Sequence, residues 1–454
     1  MTTQDLHAFL AGYRSEHPED VWVVDGEVDA DQDVTALVWG LAAAERDELV
    51  VCPRVRGLGM ELVTNMFASR RRVARILGAE PAGLHAAYQR HARRAVAPRI
   101  VGTGPVLDRV ETGGDVDLGT VPMITHFASD RAPYITSGIV VAEDPETGSG
   151  NLSYHRAMVH SRTELATSLH SRGHLWRLLQ FARQRGEALP VAMVIGGHPL
   201  FMLAASARVG ADVDERWIAG GLFGEPLEVI RTPLHGLGVP ATADLVLEGV
   251  IDPGASAEEG PFGEFTGYSS HRSTNNVLRV EAVLRRRDAL LLDVVGGNSA
   301  EHLNLARIPR ESEMAEKLVD RFPNVTAIHY PSSGTHFHCY VALRPGRVGE
   351  ARQVMLGLLG WDPYLKTVIA VDDDVDLTDD GQVLWAMATH FQPHEDLFTV
   401  DGLPGSPLDP SSSPAGTTSR LAIDATRGPG FEGQRVELSP AAVARATALL
   451  GRLA

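Results

Sequence analysis

Apolar residues recur along this chain in two rhythms. Short strand-like runs stand at Val21–Val24 and Leu49–Val51, and a helical spacing follows at Arg70–Leu77. That alternation predicts an α/β domain over 1–101. From 102 to 300 the apolar runs become short and frequent, as at Ser137–Ala142, Val191–Ile195, Leu227–Ile230, Leu245–Leu247 and Leu290–Val295, with Gly, Pro and Asp between them. Such punctuation predicts a β-rich domain with inserted helices. Beyond 301 the helix-like run ESEMAEKLVDRF precedes strands at Thr326–Tyr330 and Val368–Val371, predicting a second α/β domain over 301–430. The stretch Gly402–Thr418 is rich in Gly, Pro and Ser and reads as a long loop or linker. A last helix, Pro440–Leu453, is expected after it, in a tail spanning 431–454. The fold class is mixed α/β.

Composition narrows the function. A chain of 454 residues with 44% hydrophobic and 22% charged positions buries more than one core. Its 58 acidic residues outnumber 41 basic ones, and a net charge of −17 opposes nucleic acid and anionic membranes as main partners. Any anionic ligand would need arginines gathered locally. Cys52 and Cys339 are too few for a disulfide framework or a zinc site. No signal-like or membrane-spanning apolar stretch is present, so a cytoplasmic location is expected.

Three stretches carry candidate chemistry. Glu259–Glu264, EGPFGE, brackets a Gly-Pro-Phe-Gly turn with two carboxylates. Acids beside turns are usually solvated, but a turn can fold these two together, and like charges held close raise one carboxyl pKa and create a proton donor. Asn151–Met158, NLSYHRAM, is strand-like and presents Asn151, Tyr154, His155 and Arg156. Arg156 is either one more surface arginine or a planar fork for a carboxylate or a flavin carbonyl. In SLHSRGHLWRLL, His174 follows Gly173 at the expected start of a helix, where phosphate is favoured and a neutral imidazole can ligate a metal. Glu215 could supply an oxygen to the same ion, giving a mixed hard site suited to manganese or magnesium. The acids Asp372–Asp374 read as a solvated turn, and Lys366 as either an exposed lysine or a phosphate contact. GxGxxG, P-loop, GxSxG and HExxH patterns are absent.

Taken in order, NLSYHRAM, GHLWRL (173–178), LAAS (203–206), DERWIAGGLFGEPLEVI, EGPFGEFTGY, KTVIAVDDDVD and SRLAIDAT resemble the UbiD family of reversible decarboxylases. LVTNMFASRRRVARILG, at 62–78, is similar to that family's first domain, so the resemblance is nearly full-length. It implies a central split β-barrel that binds prenylated FMN, followed by a C-terminal α/β oligomerisation domain. It implies a trio of Arg156, Glu259 and Glu264, with Glu264 protonating the carbon that loses CO2. Asn151, His174 and Glu215 match the ligands of a divalent metal, Mn2+ or Mg2+, that ties the flavin phosphate to the protein, with K+ nearby. Ser153, Tyr154, His155, Gly173, Ala205, Ser206 and Lys366 match further cofactor-facing positions.

The implied substrate is an α,β-unsaturated or (hetero)aromatic carboxylic acid. Ser168, His170 and Gly173 depart from relatives that handle phenylacrylic acids, which points away from a simple cinnamic acid and admits a polyketide carboxylate of antibiotic biosynthesis. The implied partners are a flavin prenyltransferase, as cofactor supplier, and further copies of the chain in a homodimer or larger ring. The rival readings are an ordinary flavin oxidoreductase on the same barrel and a non-catalytic cofactor carrier.

Overall fold

The computed structural model describes residues 3–170, 173–210, 213–271, 273–413, 416–428 and 430–450. Within these, the first unit is a small sheet of the strands Val21–Val23, Leu49–Cys52, Leu62–Thr64 and Leu291–Leu292, in that order. The run at Leu290–Val295 thus adds its strand to the N-terminal sheet, parallel to Leu62–Thr64.

The central unit is an eight-stranded antiparallel sheet. Its strands run in the order Ala157–Ser161, Glu164–Thr167, Asn276–Arg285, Leu245–Ile251, Leu189–Ile195, Ile139–Glu143 and Gly150–Tyr154, with Arg109–Thr112 also paired to Asn276–Arg285. All seven residues of Leu245–Ile251 are buried, so the strand is covered on both faces; its one charged residue, Glu248, accepts from the Leu234 and His235 N–H groups. Each buried Val, Leu or Ile there contributes roughly 1.5–3 kcal/mol. The sheet's two edge strands are consecutive in sequence, joined only by His155 and Arg156. A link that short brings the edges round towards each other, while no ladder is formed between them, as in a split barrel. Arg156 stands at the split.

A 22-residue helix, Ala300–Arg321, leads out of the central unit and carries Pro309 in its interior. It begins well before the ESEMAEKLVDRF run that announced it. Glu301 in its first turn is fully buried and accepts from Thr64 Oγ1 (3.0 Å) and the backbone N–H groups of Asn65 (2.9 Å), Met66 (2.6 Å) and Val295 (3.3 Å). The helix start is thereby fastened to the N-terminal sheet.

The C-terminal unit is a five-stranded sheet, Val325–His329, His338–Leu343, Thr367–Asp372, Thr417–Ala425 and Leu397–Pro404, parallel at its centre. Its last two strands are antiparallel neighbours. The Gly402–Thr418 stretch is therefore the connection inside one sheet and not a linker to the tail. Its ends are strand, and Gly405, Pro407, Leu408 and Gly416 between them line a cavity described below. Pro440–Leu450 is helical with no buried residue; positions 451–453 of the expected helix lie outside the described residues. No helix among the described residues is long and apolar enough to cross a membrane.

Candidate active site

Arg156 reaches across the split to the hairpin Phe262–Gly263 and Ser269–Ser270. Gly263 is required there, because a Cβ would fall 2.3 Å from the Phe127 ring. Asp130 accepts from the Gly263 N–H at 3.0 Å, and the Tyr134 hydroxyl accepts from the Gly260 N–H at 3.1 Å. These bonds fix both ends of the EGPFGE turn. Arg156 then donates from Nε to Glu259 Oε1 (2.8 Å), from Nη2 to Glu259 Oε2 (3.0 Å) and from Nη1 to Glu264 Oε1. Its guanidinium lies 4.8 Å from the centroid of the Phe262 ring.

Glu259 is fully enclosed, whereas Arg156 and Glu264 line a cavity of about 690 Å³. Burial pushes the Glu264 carboxyl above its ordinary range, against the opposing pull of Arg156, and Glu259 adds to the rise. The like-charge effect anticipated for this pair is thus secondary to desolvation. Burial works against the Arg156 charge, but the two carboxylates outweigh it and hold the guanidinium firmly protonated.

A second cluster forms where two helix N-termini meet the Gly150–Tyr154 strand. His174 is the first residue of the helix His174–Arg185 with Gly173 at its cap, and Glu215 the first of Glu215–Phe223 with Asp214 as cap. Asn151 Nδ2 donates to Glu215 Oε1 at 3.4 Å, the Leu152 N–H donates to Oε2 at 3.0 Å, and His174 Nδ1 lies 3.9 Å from Oε1. Burial raises the Glu215 carboxyl to about 7 and lowers His174. An amide, an imidazole and a buried carboxylate, with only neutral donors on that carboxylate, form a donor set that fits a hard divalent cation. Two helix N-termini beside it favour a phosphate.

Between the clusters, Ser153 Oγ lies 2.9 Å from His155 Nε2 and 3.3 Å from Asn151 Oδ1, while His155 Nδ1 lies 3.1 Å from the Ser168 carbonyl. Burial lowers His155 to about 4, so the ring is neutral, with Nδ1–H donating to Ser168. The Tyr154 hydroxyl donates to the Met202 carbonyl at 3.0 Å; Ala205 is buried, and Ser206 lines the cavity. Ser168 and His170 also line it, and Gly173 caps its helix instead. Lys366 is engaged by the 405–416 connection, through Ser411 Oγ (2.7 Å) and Asp409 Oδ2 (2.8 Å). Asp372 and Asp374 bind the Arg427 side chain, both at 2.9 Å.

The far wall escaped the sequence reading. Arg208, Phe265, His302, Arg310, His336 and Tyr364 reach the cavity from five separate stretches, and no local pattern links them.

Comparison with known proteins places this geometry. The N-terminal, Rift-related and C-terminal domains of 3-octaprenyl-4-hydroxybenzoate carboxy-lyase, the UbiD protein, match residues 14–90, 99–299 and 303–425 respectively. The chain belongs to the UbiD family. It is a carboxy-lyase by that membership. An anhydromevalonate phosphate decarboxylase of Methanothermobacter thermautotrophicus is 30% identical, covering 90% of this chain and 94% of its own length. The structure of the UbiD-class enzyme HmfF from Pelotomaculum thermopropionicum in complex with FMN superposes with a TM-score of 0.89 at 31% identity, over 96% of this chain and 97% of that one. An evolved dimeric form of HmfF in complex with prenylated FMN gives 0.87 at 28% identity, over 97% and 98%.

Proposed function

We propose that this UbiD-family chain removes the carboxylate of an α,β-unsaturated or (hetero)aromatic acid as CO2. Prenylated FMN would occupy the cavity, and Mn2+ or Mg2+ would sit at Asn151, His174 and Glu215 with K+ nearby. The observation that carries this reading is one guanidinium bonded to two buried carboxylates, of which Glu264 lines the cavity and has its pKa raised by burial.

Cleaving a carboxylate from an unsaturated carbon leaves an electron pair with nowhere to go. When bound, the modified flavin supplies the electron sink. The chain's own groups do the rest. Glu259 holds the Nε and Nη2 edge of the Arg156 fork with both its oxygens, which leaves Nη1 to bond Glu264. Glu264, whose carboxyl burial shifts towards the protonated form, delivers the proton to the carbon that has lost CO2. Asn151, His174 and Glu215 would hold a divalent cation, which would supply positive charge for the flavin phosphate within a protein of net charge −17.

The test is co-expression with a flavin prenyltransferase, the supplier of the cofactor, followed by CO2-release and solvent-deuterium-exchange assays on unsaturated, heteroaromatic and polyketide acids. The bound chromophore is compared with plain FMN. Turnover with the prenylated cofactor supports the reading. Activity with unmodified FMN and a nicotinamide reductant, without CO2 release, would favour an oxidoreductase.

The exposed tail helix extends the proposal to assembly. Val443, Leu449 and Leu450 are 46%, 61% and 64% exposed on a helix with no buried face. So short a helix is marginal in water without a surface to pack on. A second copy of the chain would supply it, in a homodimer or larger ring.

A further inference from the structure

We infer that the cavity contains, across Phe265 from Glu264, a subsite for a second anionic group on the acid being decarboxylated, either a carboxylate or a phosphate ester. This deepens the proposed reaction and rests on it for the identity of the reacting end.

Phe265 follows Glu264 directly, and its ring lies 4.6 Å from that of His336 and 6.3 Å from that of Tyr364, centroid to centroid. Two guanidinium groups lie against the Tyr364 ring, Arg208 at 4.9 Å and Arg310 at 5.1 Å from its centroid. Their electrostatic situations differ. Arg310 is buried, bound through Nε to Asp362, and donates from Nη2 to the His336 carbonyl at 3.2 Å. Arg208 is exposed to the cavity, and among the described residues no carboxylate lies within ion-pair distance of it. His336 adds a third group: its side chain is buried at 6% exposure, it lines the cavity, and its Nδ1 has no hydrogen-bond partner.

The charges around the cavity therefore leave one end positive. Among the described residues Glu264 is the only acidic one lining it, and it is held by Arg156. Asp362 is matched by Arg310. Arg208 also acts on Asp362, so at this end of the cavity two guanidinium groups share one carboxylate, inside a protein whose overall field is negative. A ligand anion there would gain charge-assisted hydrogen bonds from Arg208 and an N–H from the Nδ1 tautomer of His336. Arg208 and Arg310 also line an adjoining cavity of about 280 Å³, whose two carboxylates are each paired, Asp362 with Arg310 and Glu313 with Lys317.

The experiment uses holoenzyme loaded by co-expression with a flavin prenyltransferase. Calorimetric affinities are measured for hexanoate against hexanedioate, and for hydroxypentanoate against its phosphate ester, with wild type and Arg208→Gln. Arg310 is left alone because its buried ion pair serves folding. The wild type is expected to favour the doubly charged member of at least one pair by about tenfold or more, and Arg208→Gln to bring that ratio within about twofold of unity. Which pair shows the preference tells a carboxylate site from a phosphate site. Equal affinities in the wild type, or a preference that survives the substitution, overturns the subsite. So does loss of bound flavin with the preference intact, which would assign Arg208 to the cofactor phosphate. Hexenoate and hexenedioate are assayed in parallel for CO2 release. A charge preference without turnover of any acid sinks the proposed reaction and leaves the subsite standing; turnover without a preference does the reverse.

Discussion

The Arg156 trio and the Asn151, His174 and Glu215 cluster lie on the same sheet edge, yet they are completed in opposite ways. Arg156 meets two carboxylates within the chain, and its fork is aligned before any ligand arrives. Glu215 is as deeply buried, but it accepts only neutral N–H groups and has a neutral imidazole 3.9 Å away. The first arrangement is organised by the protein alone. The second is a set of donors that a cation would tighten. If the proposed chemistry holds, the first cluster would be rigid before loading, and cofactor loading at the second would be sensitive to ions.

The sharpest way to break the contrast is at Glu264. Glu264→Gln should lower decarboxylation by about 10²–10⁴-fold, with flavin content and circular dichroism unchanged. Because burial raises this carboxyl and the protonated form is the active one, wild-type turnover should be present below the raised pKa and be lost as pH climbs through it. A variant keeping most of the wild-type turnover would remove Glu264 as the proton donor.

Arg156→Ala should cost about 3–5 kcal/mol in urea unfolding, since it leaves two buried carboxylates unmatched. Adding Glu259→Gln should recover part of that loss. If the double variant is no more stable than the single one, Glu259 is not held by the guanidinium in the way described.

At the second cluster, Mn2+ at a hundredfold excess over its Kd should stabilise the wild type by about 2.7 kcal/mol and leave Glu215→Gln unmoved. Thermal melts with and without Mn2+ decide it, and a full metal response in the variant would place the cation elsewhere. The tail offers the same contrast at subunit scale: deletion from residue 438 onward should convert a dimer to a monomer in light scattering, and an unchanged assembly counts against the tail as an interface.

The smallest effect is expected far from both clusters. His7 Nε2 lies 2.7 Å from Asp244 Oδ1, and Asp244 also accepts from the Leu290 N–H. Asp244 raises the His7 pKa against its partial burial. The folded value then exceeds the unfolded 6.5, so the pair's contribution is fully present below 6.5 and fades as pH rises through the folded value. Burial holds Asp244 itself above its usual range despite His7, so the aspartate is a strained partner and the net gain is modest. The stability advantage of wild type over His7→Gln should accordingly shrink above neutrality; an advantage growing with pH would reverse the assignment.

Local pattern reached far into this molecule where the relevant physics is local. Strands at Leu189–Ile195 and Thr367–Asp372 and the helix starting at His174 follow from runs and caps that a few residues contain. NLSYHRAM and EGPFGE were legible as candidates because a strand end and a tight turn place their own side chains, and the fold brings Arg156 together with Glu259 and Glu264. Composition misled at Gly402–Thr418: Gly, Pro and Ser mark irregular backbone, but they cannot say that both flanks pair in one sheet and that residues between them line the cavity. Periodicity likewise cannot tell which sheet Leu291–Leu292 will join, since that depends on an edge offered more than two hundred residues earlier in the chain.

The amino-acid sequence by itself determined the family, the mixed α/β class and the residue types available for acid–base and metal chemistry. Only the tertiary structure decided which carboxylate faces the cavity, that burial more than mutual repulsion raises the Glu264 pKa, and that Arg208 and Arg310 meet at the Tyr364 ring. Those facts depend on desolvation and on contacts between distant stretches. Neither exists until the sheet has rolled round and the helix from Ala300 has closed one wall against it.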